Sequence, residues 1–93
     1  MNTIPTEGKV IVQFGAKWCS PCKQIRPFVE ETAELMNVPF LYLDMEEDMN
    51  MAQRLAIRAM PSIIVLENGQ EVGRVSGANM REIALVLGSA FKT

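Results

Sequence analysis

Ninety-three residues are enough for one hydrophobic core and leave nothing for a second, so a single domain over residues 1–93 is expected, with its core from about residue 9 to about residue 91. The apolar share of 48% and net charge of -2 belong to an ordinary globular chain, and nine basic residues scattered among eleven acidic ones offer no tract that could follow phosphates. Two cysteines and no histidine exclude most metal sites and all histidine-based acid–base chemistry.

The opening Met1-Asn2-Thr3-Ile4-Pro5-Thr6-Glu7-Gly8 lacks the apolar core of a signal peptide, and no apolar run approaches the ~20 residues a membrane helix requires. The expected address is cytoplasmic and reducing, with no membrane and no nucleic acid among the partners. Lys9-Val10-Ile11-Val12-Gln13-Phe14 is a β-branched apolar run ending at Gly15 and predicts a buried strand. Over residues 20–36, Ile25, Phe28, Val29, Leu35 and Met36 recur at helical spacing, and this predicts an amphipathic helix with a kink at the internal Pro27.

Pro39-Phe40-Leu41-Tyr42-Leu43-Asp44 predicts a second strand, parallel to the first and placed at an edge by its leading proline. Residues 47–57 predict a helix with Met49, Ala52, Leu55 and Ala56 on one face and Glu46-Glu47-Asp48 as its acidic start. Met45, Met49 and Met51, part of a load of seven methionines, are expected to fill irregular core space. Ser62-Ile63-Ile64-Val65-Leu66 and Glu71-Val72-Gly73-Arg74-Val75 flank Asn68-Gly69, a pair that tolerates positive φ at both positions and predicts a hairpin. A last helix carries Met80, Ile83, Ala84, Leu87 and Phe91 in register, with Asn79 as N-cap and Glu82 three residues on. The resulting β-α-β-α-β-β-α order predicts an α/β fold with a mixed four-stranded sheet flanked by three helices.

Between the first strand and first helix stands Cys19-Ser20-Pro21-Cys22. A Cys-x-x-Cys pair at a helix start reads as a redox dithiol, because unpaired backbone N–H groups and the helix dipole stabilise the first thiolate. Lowering a thiol pKa from ~8.5 to ~7 raises the thiolate fraction at neutral pH from about 3% to about 50%, yet nucleophilicity falls with pKa, so attack gains only about threefold. The larger consequence is that Cys19 becomes a good leaving group when Cys22 displaces it from a mixed disulfide. Three rival readings stand beside this one. A structural disulfide would close so short a loop for roughly 2 kcal/mol; half of a zinc or iron–sulfur site would need ligands that the chain does not offer; and two merely apolar cysteines sit poorly beside Lys17 and Lys23.

Trp18-Cys19-Ser20-Pro21-Cys22-Lys23 resembles the active-site motif of the thioredoxin family, usually Trp-Cys-Gly-Pro-Cys-Lys. Pro27, Met60-Pro61, Asn68-Gly69 and Gly77-Ala78 stand where that family has its helix kink, cis-proline, hairpin and final turn, so the resemblance spans nearly the whole chain. It implies a trimmed thioredoxin fold with Cys19 as exposed nucleophile and Cys22 as buried resolving thiol. It further implies a substrate-binding surface from Trp18, Ser20, Pro21, Met60, Pro61, Gly77 and Ala78, with no bound cofactor and no metal. The implied partners are disulfide-containing proteins and a thioredoxin-reductase-like electron donor, for a monomeric protein-disulfide reductase. A role as a redox-independent binding module is the alternative.

Departures from the family pattern are also present. Eight residues before Lys9 cannot form the strand and helix that usually come first; Gln13 replaces a buried aspartate; Phe40 replaces its partnering lysine; Ser20 replaces a glycine; and Gly15 replaces a second tryptophan. Glutamine cannot take a proton from Cys22, so water or substrate groups are expected to handle it.

Overall fold

The computed structural model describes residues 4–91; Met1, Asn2 and Thr3 of the opening segment and the two closing residues lie outside it. Seven elements follow in order: β1 (Lys9–Gly15), α1 (Ser20–Leu35), β2 (Phe40–Asp44), α2 (Met49–Arg54), β3 (Ser62–Glu67), β4 (Gln70–Ser76) and α3 (Met80–Ala90). The four strands form one sheet in the order β2-β1-β3-β4. β1 and β2 are parallel, joined through α1, whereas β1–β3 and β3–β4 are antiparallel. The mixed sheet and its edge strand β2 are therefore as expected. Ile4 to Gly8 form neither helix nor strand.

Alternation along the strands divides the interior into two layers. Ile11, Ile63, Val65 and Val75 face α1 and α3, meeting Ile25, Val29, Ala33, Ile83 and Leu87. Val10, Val12, Phe14, Leu43, Ile64 and Leu66 face the other way, against Ala52 and Ile57. Burying each of the large side chains contributes about 1.5–3 kcal/mol, so β1, buried on both faces, anchors the sheet. Met45 and Met51 pack partly into the second layer as expected, while Met49 is exposed.

Both long helices start on recognisable caps. Cys19 is the N-cap of α1, with extended backbone and its sulfur accepting from Cys22 N–H, and Asn79 caps α3 by accepting from Glu82 N–H at 3.1 Å. Pro21 occupies the first turn of α1, where a missing N–H costs nothing. The helix is continuous through Pro27. Its buried stripe is Cys22, Ile25, Val29 and Ala33, and the expected Leu35 and Met36 are on the outside, Leu35 being 79% exposed. The reason is the termination that follows them. Asn37 takes φ 57°, and Val38 and Asn37 N–H bond back to the Ala33 and Glu34 carbonyls in a Schellman closure, so the last turn is directed off the sheet.

The second helix is shorter than expected for the same reason. Ala56 adopts φ 53°, and Ile57 and Ala56 N–H return to the Ala52 and Gln53 carbonyls. This ends α2 at Arg54 and takes Ala56 off its buried face. Glu46-Glu47-Asp48 do not form the first helical turn: Asp44 Oδ1 accepts from Glu46 and Glu47 N–H, and Asp48 Oδ2 accepts from Asp44 N–H, so the acidic run is a turn ahead of α2. In α3 only Ile83 and Leu87 are fully buried; Met80 and Ala84 are exposed.

The hairpin between β3 and β4 has positive φ at both Asn68 (53°) and Gly69 (82°), the pairing a two-residue turn demands. Asn68 also fastens the hairpin to the entrance of β1, accepting from Gly8 N–H at 2.8 Å through Oδ1 and donating its own N–H to the Gly8 carbonyl at 2.9 Å.

Candidate active site

The sequence motif lies at the C-terminal end of β1, where the chain leaves the sheet and enters α1. Cys19 N–H donates to the Ala16 carbonyl at 3.0 Å, closing a tight turn that aims the cysteine back at the helix mouth. There Cys19 Sγ accepts from the Cys22 backbone N–H at 3.2 Å. The sulfur thus takes the place of an N-capping oxygen, and negative charge on it is met by an otherwise unpaired donor and by the positive end of the helix dipole.

Cys19 and Cys22 are joined in a disulfide, with Sγ–Sγ 2.07 Å and Cα–Cα 5.3 Å. They form a small apolar cluster with Ala16, against which the half-buried Met60 packs. Cys22 is fully buried, and Cys19, expected to be exposed, retains only 4% of its surface. The accessible rim is therefore narrow. Trp18 stands beside it, 69% exposed, its indole N–H donating to Glu46 Oε1 at 3.1 Å. Ser20 and Pro21 are exposed on the first turn of α1.

Across from the pair, the Met60-Pro61 bond is cis. Pro61 is buried, and its carbonyl accepts from Gly77 N–H at 2.7 Å, which ties the turn before α3 to the start of β3. Ala78, next along, is exposed. All nine residues singled out from the sequence thus fall on three segments, 18–22, 60–61 and 77–78. Met60 packs directly on the disulfide, and the Pro61–Gly77 bond links the other two segments.

Beneath the disulfide, Gln13 is completely buried. Its Nε2 donates to the Cys22 carbonyl at 3.0 Å, and its Oε1 has no hydrogen-bond partner among the described residues. Phe40 is not beside it. In the β1–β2 register Phe40 is opposite Ile11 and packs on the core, whereas the direct neighbour of Gln13 is Tyr42. Tyr42 is half-buried, with the Arg26 guanidinium 4.1 Å from its ring centroid. Burial raises its phenol pKa above the usual 10.0, an effect that Arg26 partly offsets and Asp44 reinforces. Tyr42 lines a cleft of about 390 Å³ together with Ala16, Lys17, Lys23, Arg26 and Asp44.

Glu46 and Tyr42 are the site residues that sequence reasoning passed over. Glu46 was hidden in an acidic run that reads as a helix start. Tyr42 had one available signal, the glycine at position 15, which leaves room for a large neighbour.

The family model for thioredoxin matches residues 2–87. The chain belongs to the thioredoxin family. It is 41% identical over 81 residues to thioredoxin-2 of Saccharomyces cerevisiae, covering 86% of this chain and 78% of that one. It is 39% identical over 75 residues to human thioredoxin, covering 80% and 71%. Among solved structures, that of Fasciola hepatica thioredoxin superposes with a TM-score of 0.82 at 33% identity, over 91% of this chain and 84% of that one. Reduced Schistosoma mansoni thioredoxin pre-protein superposes with a TM-score of 0.83 at 32% identity, over 92% and 82%. A thioredoxin-family chain with a Cys-x-x-Cys pair at disulfide distance is a thiol–disulfide oxidoreductase, one that reduces protein disulfides by dithiol exchange. The readings of the pair as merely structural, merely apolar or half of a metal site fall away.

Proposed function

We propose that Cys19 is the attacking thiol and Cys22 the resolving thiol of a reductant for protein disulfides that is itself recharged by a thioredoxin-reductase-like electron donor. The observation that carries this assignment is the 3.2 Å hydrogen bond from Cys22 N–H to Cys19 Sγ at the mouth of α1. It favours charge on Cys19, while complete burial disfavours charge on Cys22 until a mixed disulfide forms beside it. Substrate is bound by Trp18, Ser20, Pro21, Met60, Pro61, Gly77 and Ala78. Support comes from Met60, whose backbone N–H and C=O have no backbone partner among the described residues and are free to pair with an extended segment carrying the substrate disulfide.

In this reading residues 1–93 form one domain that acts as a monomer in the cytoplasm, moving electrons from the donor to oxidised proteins in the service of redox homeostasis. A reducing compartment sets that direction. No helix among the described residues is long and apolar enough to cross a membrane.

Insulin reduction by the single-cysteine variants tests the assignment. Cys19→Ser is expected to lose turnover and form no mixed disulfide. Cys22→Ser is expected to lose turnover while accumulating a covalent adduct through Cys19. Adducts forming through Cys22 instead would reverse the two roles, and a cellular role retained by Cys19→Ser would assign that role to a binding module.

A further inference from the structure

Before Cys22 can displace the substrate it must lose a proton, and its burial leaves that proton without direct access to water. The side chain beneath it, Gln13, is an amide and cannot titrate. Three observations converge on Tyr42 instead. Gln13 and Tyr42 are paired in the parallel ladder, so both side chains rise from the same face of the sheet toward α1. Two residues further along β1, Gly15 has no Cβ. Tyr42 Oη occupies the space that atom would need, and Cys22 Cβ is 3.1 Å from the same point. The phenol oxygen and the resolving cysteine therefore flank one glycine. Finally, Tyr42 lines the cleft of about 390 Å³, which is open to solvent.

We propose that the Tyr42 hydroxyl carries the Cys22 proton to water in this cleft while the mixed disulfide is resolved. The inference rests on the dithiol assignment above. Cys22 S–H gives its proton to Tyr42 Oη as the phenol proton passes to cleft water. The freed electron pair on Cys22 Sγ forms the bond to Cys19 Sγ, and the bond between Cys19 Sγ and the substrate sulfur breaks. That pair leaves on the substrate sulfur, which is protonated from water. The phenol ends neutral, the substrate sulfur is reduced, and the two cysteines are oxidised to their disulfide.

The surroundings suit a relay rather than a base. Burial keeps the phenol protonated through the neutral range, so it both accepts and donates. Arg26 lies over the ring and fixes it, with Lys23 and Glu30 of α1, Lys17 of the preceding turn and Asp44 of β2 as the other charged groups around the cleft. A carboxylate under the dithiol is not needed for the proton to leave.

Reaction of the reduced protein with 5,5′-dithiobis(2-nitrobenzoate) separates the two steps, because Cys19 attack releases one coloured thiolate and Cys22 resolution releases a second. Tyr42→Phe is expected to slow the second, concentration-independent release by about tenfold near neutral pH, with the first release unchanged. The gap is expected to narrow in alkaline solution, where hydroxide removes the proton directly. Gly15→Ala keeps the phenol but displaces its oxygen, and it is expected to reproduce the defect. A Tyr42→Phe variant that matches the wild type, or that loses the same factor at every pH, overturns the relay. A wild-type protein with no second release overturns the dithiol assignment itself.

Discussion

Gln13 Nε2 donates to the Cys22 carbonyl at 3.0 Å, while Gln13 Oε1, equally buried, has no partner among the described residues. One end of a neutral amide thus holds the first turn of α1 against β1, and the other end leaves an acceptor unmet beneath the disulfide.

Replacing that amide by a carboxyl group separates its two roles. Gln13→Asp shortens the side chain and removes the donor to Cys22, so a loss of about 1–3 kcal/mol of stability is expected. It also places a titratable group under Cys22. The rate of insulin reduction should then acquire an additional inflection with pH that the wild type lacks. Superimposable pH profiles would mean that position 13 supports the helix and takes no part in proton transfer.

Trp18 and Glu46 offer a test of the accessible rim. Their 3.1 Å hydrogen bond spans the active-site turn and the turn after β2, and both residues are exposed, so its net worth in stability is about 0.5–1 kcal/mol at most. It tethers a large, exposed indole beside a nearly covered sulfur. Glu46→Ala is expected to leave the urea midpoint almost unchanged, to alter the fluorescence of the chain's one tryptophan, and to slow insulin reduction several-fold. An unchanged rate with altered fluorescence would free Trp18 of any part in substrate positioning.

How far such features could be read in advance depended on whether their cause was local. The Asn68-Gly69 turn, the Asn79 cap and the Cys19–Cys22 pair each depend on neighbours a few residues away, and all three were legible. The outward turn of Leu35 and Met36 was not, because apolar periodicity continues past the point where Asn37 changes the direction of the chain. Ala56 gave no warning at all, since alanine is an ordinary helix residue and its left-handed conformation is held by the helix-closing hydrogen bonds and by Arg74 from a distant strand. The space shared by Gly15, Tyr42 and Cys22 has only the glycine as a local trace. It exists only in the register that sets Gln13 opposite Tyr42, whereas the family resemblance points to Phe40.

A bulge in β4 creates a pH-dependent contact. Val65 pairs with Gly73 but Leu66 pairs with Glu71, leaving Val72 as the extra residue and bringing Glu71 and Arg74 to one face despite their odd spacing. Arg74 Nε and Nη2 donate to the two Glu71 oxygens at 2.9 and 2.7 Å, and this pairing lowers the Glu71 pKa from its usual 4.5. The contribution is therefore fully present above the unfolded carboxyl value and is lost as pH falls through the lower folded value. Both side chains are partly exposed, so about 1 kcal/mol or less is at stake. Glu71→Gln is expected to lower the urea midpoint slightly near pH 7, with the difference vanishing in acid once pH has fallen through the lowered folded value. A difference that persists undiminished in acid would assign the effect to packing.

The end of α2 is where the chain gives up stability that a single substitution can recover. Ala56 carries a Cβ at φ 53°, a conformation that costs an L-residue about 1–2 kcal/mol relative to glycine's indifference to it. It is held there by the Schellman bonds from Ala56 and Ile57 N–H, and by Arg74, which donates to the Leu55 carbonyl and, at 3.3 Å, to that of Ala56. Ala56 is exposed, so no packing is lost with its methyl group. Ala56→Gly relieves the strain but frees the unfolded chain, which takes back about 0.5–1 kcal/mol, for a net gain of roughly 0.5–1 kcal/mol. A rise in the urea midpoint with unchanged insulin reduction is expected, because α2 contacts the sheet on the face away from the dithiol helix. A fall in the midpoint would mean that the surrounding hydrogen bonds, which close the helix whatever residue sits at the turn, already relieve the methyl group of its strain.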